Sequence, residues 1–129
     1  MSLARAFSQW SQVTTDPAWI PFPYVYAFEL LIHENRHNEP GDPSHTSCPS
    51  WAPPNAVVQN GMDQTFEGGS GYASGAMYLM WVFRYGVYDP PDMKTRARDE
   101  AVATLRERFC TKPTHSDPRV QAILDQLIP

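Results

Sequence analysis

The chain has no run of eighteen apolar residues, so no membrane-spanning helix is expected. It is short of positive charge: ten Lys and Arg against fourteen Asp and Glu leave a net charge of -4 at pH 7. With no basic stripe, the electrostatic footprint of a nucleic-acid binder is missing, and nucleic acid is set aside as a partner. The first sixteen residues, MSLARAFSQWSQVTTD, lack the apolar core of a secretory signal, so a secreted form is expected only from a longer precursor. No internal repeat is visible. Cysteine is scarce as well. Cys48 and Cys110 allow one disulfide in an oxidising compartment or two buried thiols, and both readings stay open.

Proline is what the chain has in excess. Its 13 prolines in 129 residues are about twice the ordinary fraction. Apart from Pro129 they fall at 17–23, 40–54, 90–91 and 113–118, and leave 1–16, 24–39, 55–89 and 92–112 free of proline. That distribution punctuates elements; it does not describe a disordered tract. A hydrophobic content of 42% with 19% charge is ordinary for a globular protein, and the length suits one domain over 1–129.

The segments between prolines read as helices. Leu3, Phe7 and Trp10 are helically spaced in 3–12. Residues 24–38, YVYAFELLIHENRHN, are apolar nearly all round in their first half, as a buried helix is, and Pro40-Gly41 ends them. A long polar loop follows over 40–56. Turn signals at Asn60-Gly61 and Gly68-Gly69 leave room for a short β-hairpin within 57–71. Residues 72–86 read as a second buried helix, with Ser70 as its cap, Gly86 as its stop, and Gly75 and Ala76 allowing close approach of another helix. Met77, Tyr78, Met80 and Trp81 are assigned to the core. Residues 90–110 carry one apolar stripe of Met93, Ala97, Ala101, Val102, Leu105 and Phe109 behind an Asp92 cap. In the last segment Asp117 caps, Pro118 takes the first helical position, and Val120, Ile123, Leu124 and Leu127 face inward. The expected fold is a small, mainly α single domain with a long Pro-rich loop and a short hairpin.

Within the second segment stands His33-Glu34-Asn35-Arg36-His37. Helical positions i and i+4 share a face, so two imidazoles can meet one ion. Zinc takes imidazole nitrogen at about 2.0–2.1 Å, and a catalytic site keeps one of four positions for water. A carboxylate one residue round the helix, here Glu34, can take that water's proton as general base. At these five residues the chain resembles the zincin metallopeptidases. The resemblance implies zinc as cofactor, His33 and His37 as ligands, Glu34 as catalytic base, and a peptide or protein substrate. It departs from the metzincin pattern, where Pro40 and Pro43 stand in place of the glycine and third histidine, and no later glutamate matches the gluzincin pattern.

A third ligand must come from elsewhere. His45 is preferred, because Pro-Gly-Asp-Pro can fold the chain back under the helix and imidazole is the commoner zinc ligand. Asp63 is the second candidate, either as a ligand or as the group that orients a ligand histidine. Cys48 is the third. Tyr72, at the start of the next helix, is a candidate to stabilise a tetrahedral oxyanion. Arg36 reads best as half of a surface ion pair and His115 as a loop residue without a role. The expected function is a zinc-dependent hydrolase of peptide or amide bonds. Its rival is a non-catalytic helical interaction module, with a structural metal or none, that uses CPSWAPPNAVV as its contact surface.

Overall fold

The computed structural model describes residues 23–48, 61–86 and 92–129. The segment expected as a helix over 3–12, and the proposed contact loop from residue 49 to 58, lie outside them. Four helices occur among the described residues: α1 (Pro23–Arg36), α2 (Gly71–Tyr85), α3 (Asp92–Glu107) and α4 (Pro118–Leu127). The fold is mainly α, as the sequence pattern implies.

The middle helix, α2, packs against both α1 and α3. Its small residues make that possible. A methyl group added at Gly75 would collide with the Glu29 carboxylate of α1, and one added at Gly71 would lie 2.7 Å from the His33 ring. Ala76 on α2 and Ala97 and Ala101 on α3 are fully buried, so the backbones come close where side chains are short. Larger residues fill what remains: Leu79, Met80, Leu105, Phe109 and Leu124 share one core with Val25 and Phe66. Truncating one of these leucines to alanine costs about 2–5 kcal/mol, because the cavity left behind collapses only in part.

Helix α4 follows its sequence signals closely. Asp117 accepts the backbone N–H of Arg119, Pro118 opens the helix, and Val120, Ile123, Leu124 and Leu127 are buried. The exposed face of α2 departs from expectation. Met80 is buried and Met77 and Tyr78 are partly so, but Trp81 is 40% exposed and stacks on Tyr85, one turn on, with ring centroids 4.8 Å apart.

The expected hairpin is not present among the described residues of 57–71. In its place two isolated bridges tie loops together: Thr46 pairs antiparallel with Met62, and Asp63 pairs parallel with Phe109. Asp63 donates its N–H to Arg108 at 2.9 Å and accepts from Cys110 at 3.0 Å. Beside these bridges Cys48 and Cys110 form a disulfide. The loop after α1, the 61–70 turn and the end of α3 are thereby fastened to one another.

Candidate metal centre

Helix α1 ends at Arg36, one residue before His37. The chain continues in tighter turns, with Asn38 bonded to Asn35 and Glu39 to Arg36. Gly41 at φ +78° and Ser44 at φ 59° then reverse its direction. A residue preceding proline is pushed away from helical angles, so Pro40 helps to end the helix here. The reversal brings His45 back beneath the end of α1. Antiparallel pairing of Thr46 with Met62, at 2.7 and 2.9 Å, holds it there.

Three imidazole nitrogens meet at this point. His45 Nε2 lies 3.2 Å from His33 Nε2 and 3.1 Å from His37 Nε2. The three residues form the one group of potential metal ligands found among the described residues. Ligands at the zinc–imidazole distance on corners of a tetrahedron stand about 3.3–3.4 Å apart, and the observed spacing is close to that.

The other ring nitrogens fix the tautomers. His45 Nδ1 donates to Asp63 Oδ1 at 2.8 Å, and His37 Nδ1 donates to Asp42 Oδ2 at 3.1 Å. An ionised carboxylate only accepts, so each Nδ1 must carry the proton. In the neutral rings both Nε2 atoms then present lone pairs to each other at 3.1 Å. A single added proton bridges one nitrogen pair and leaves the third nitrogen facing a neighbour. A cation among all three satisfies them at once, so this donor set fits a zinc ion.

Both aspartates are themselves held. Asp63 is fully buried, and its Oδ2 accepts the backbone N–H groups of Ser70 at 2.8 Å and Ala73 at 2.9 Å. Asp63 is therefore the cap of α2. Ser70 occupies the cap position without capping: its hydroxyl donates to Asp42 Oδ1 at 2.6 Å and lies 3.3 Å from His37 Nδ1. A methyl group at Gly69 would lie 2.9 Å from Asp63 Oδ2, so a residue without a side chain is needed beside the carboxylate. Burial pushes the Asp42 carboxyl up, but hydrogen bonds from Ser70, His37 and Ser44 outweigh it and hold Asp42 below the ordinary aspartate value.

The expected site residues thus divide. His33, His37 and His45 converge. Asp63 stands behind His45 instead of beside the three nitrogens, with one oxygen given to the ring and the other to α2. Cys48 is tied to Cys110 and offers no thiolate. Arg36 pairs with Glu39 at 3.2 Å on the surface. His115 accepts the Asp117 N–H at 2.9 Å in the loop before α4.

Tyr72 packs against the cluster, its ring centroid 4.6 Å from those of both His33 and His45. The Arg108 guanidinium lies over the Tyr72 ring, 4.9 Å from its centroid. Glu34 is buried and, with His33 and Tyr72, lines one end of a cleft of about 260 Å³ between α1 and α3. Glu29, Glu100, Glu107 and Arg108 line the rest of its charged wall. Burial, with the Glu100 charge added, pushes the Glu29 carboxyl up to about 8. Burial and Glu107 raise Glu100 as well.

Asp42, Ser70 and the cleft glutamates other than Glu34 were not foreseen as parts of a site. Asp42 carried a usable signal. A ligand histidine commonly gives its second nitrogen to a carboxylate, and Asp42 lies five residues past His37 in a turn that faces back. Comparison with models of protein families, with curated proteins and with solved structures finds no match to this chain.

Proposed function

We propose that the protein is a zinc-dependent hydrolase acting on a peptide or related amide bond. The observation that carries this is the convergence of three Nε2 atoms, two of them on rings whose Nδ1 is hydrogen-bonded to an aspartate. His33, His37 and His45 would hold the metal. Three protein ligands with a position left over is the pattern of a catalytic site, whereas structural zinc is closed by four. Zinc bound there would supply Lewis acidity, polarising a carbonyl and making water acidic near neutral pH.

The chain's own residues supply the rest. Glu34 follows His33 on α1 and lines the cleft with it; its carboxylate would take the proton of the attacking water. It then delivers that proton to the leaving amine. The resemblance of His33-Glu34-Asn35-Arg36-His37 to the zincin motif supports the same roles. Tyr72, whose ring packs against the His33 and His45 rings, would donate its hydroxyl to the oxyanion of a tetrahedral intermediate.

Glu34→Gln tests this reading. The variant keeps the three imidazoles, so zinc content is expected to match wild type while turnover of a quenched peptide mixture falls at least a hundredfold. Undiminished turnover in the variant would remove Glu34 from the mechanism.

A further inference from the structure

One buried group has no role in the centre described above. Glu29 is 8% exposed on α1, it lines the cleft, and no hydrogen bond or ion pair reaches it from the described residues. Buried polar groups in folded proteins are nearly always partnered, and an orphan carboxyl marks a place where something else binds. Its surroundings say what. Across the cleft stand Glu100 and, further along α3, Glu107. Arg108, the guanidinium of this wall, lies over Tyr72 at the metal end. Burial and a neighbouring like charge raise Glu29, as befits a carboxyl with no cation paired to it among the described residues.

We infer that this cleft is a specificity pocket for a basic side chain, a lysine or arginine next to the scissile bond, with Glu29 and Glu100 as the groups that receive its charge. Glu29 precedes His33 by four residues, which puts it about 6 Å down the helix axis from the metal ligand. An extended peptide with its amide at Glu34 can therefore drop an adjacent long side chain along α1 toward Glu29. A volume of about 260 Å³ suits one side chain and excludes a large ligand. A long aliphatic stem would pass Leu30 and Ala103 on the way in, and its head would meet two carboxyl groups, whose ionised form a cation beside them favours. Pairing a buried charge in this way discriminates strongly against neutral isosteres, because the isostere leaves the carboxyls unpartnered.

The inference takes the placement of the peptide from the hydrolase reading, but the pocket's preference can be measured without turnover. The probes are Nα-acetyl-lysine methylamide and its norleucine counterpart, titrated by NMR into the full chain with and without zinc. Lysine is expected to bind at least tenfold tighter than norleucine, and Glu29→Gln to reduce that ratio to below threefold. Glu100→Gln, on the more open wall, is expected to reduce it severalfold and guards against a folding defect in the Glu29 variant. Quenched peptides with lysine, norleucine or glutamate beside one cleavable bond form the second arm, read as kcat/KM. Lysine preference in binding without hydrolysis of any peptide would leave the pocket standing and remove the peptidase reading. Hydrolysis with equal rates for the three peptides, or equal binding of the two probes, would overturn the pocket.

Discussion

The disulfide between Cys48 and Cys110 should contribute as much to stability as a fully buried leucine of the core. It joins residues 62 apart in sequence. Closing a loop of that length in the unfolded chain is worth about 4 kcal/mol on the chain-entropy account. Against a whole-domain stability of about 5–15 kcal/mol, that is a large share. The expected effect of replacing both cysteines by alanine is a loss of about 4 kcal/mol. At a urea dependence of about 2 kcal/mol per M the midpoint falls by about 2 M. Equilibrium urea unfolding in a zinc chelator measures it without the contribution of metal to the folded state, which would otherwise mask the loss. Cys48 lies three residues after His45, so the variant should also bind zinc more weakly. The bridges of Thr46 with Met62 and Asp63 with Phe109 keep the loop near its place. A loss below about 1 kcal/mol, or labelling of both cysteines by a thiol reagent without prior reduction, would refute this account of what fastens the loop.

Two further outcomes follow from the charged groups. Asp42→Asn keeps an acceptor behind His37 but removes its charge, and zinc affinity measured against a competing chelator should fall about 10- to 100-fold; unchanged affinity would show that Asp42 does not set the ring's donor strength. Glu29 carries its proton in the folded chain up to about pH 8, whereas an unfolded glutamate releases it near 4.5. The folded state therefore binds the extra proton, and stability falls as pH rises from about 4.5 through about 8. The upper bound on that fall is about 5 kcal/mol. Glu34, Glu100, Glu107, Tyr26 and Arg108 face the same cleft. Glu29→Gln should flatten it and be more stable than wild type at pH 9, as read by thermal unfolding across pH; parallel curves for the two proteins would contradict the burial argument.

The helices were legible because their signals are local. Apolar residues recurring every three or four positions mark α3 and α4, and the Asp117-Pro118 start of α4 is correct to the residue. The glycines and alanines of α2 announce close packing before any neighbour is known. His33-Glu34-Asn35-Arg36-His37 is local too, though the helix stops one residue short of His37 and a turn completes its last step. What the pattern did not disclose was decided by residues far apart in the chain. Asp63 caps α2 from outside the helix and so frees Ser70 for Asp42. That exchange rests on hydrogen bonds spanning 7, 10 and 28 residues. Asn60-Gly61 and Gly68-Gly69 carry the turn signals of a hairpin, but Gly69 serves the Asp63 carboxylate and Gly71 the His33 ring. Those glycines mark the site's tight approaches, and turn propensity alone cannot distinguish the two uses.

The central claim is that three histidines hold one metal ion, and zinc content per chain tests it most directly. Elemental mass spectrometry after dialysis against zinc, applied to wild type and to His33→Ala, His37→Ala and His45→Ala, should find one zinc per wild-type chain and none in each variant. Wild-type protein that takes up no zinc, or a His45→Ala variant that keeps it, would contradict the three-histidine centre.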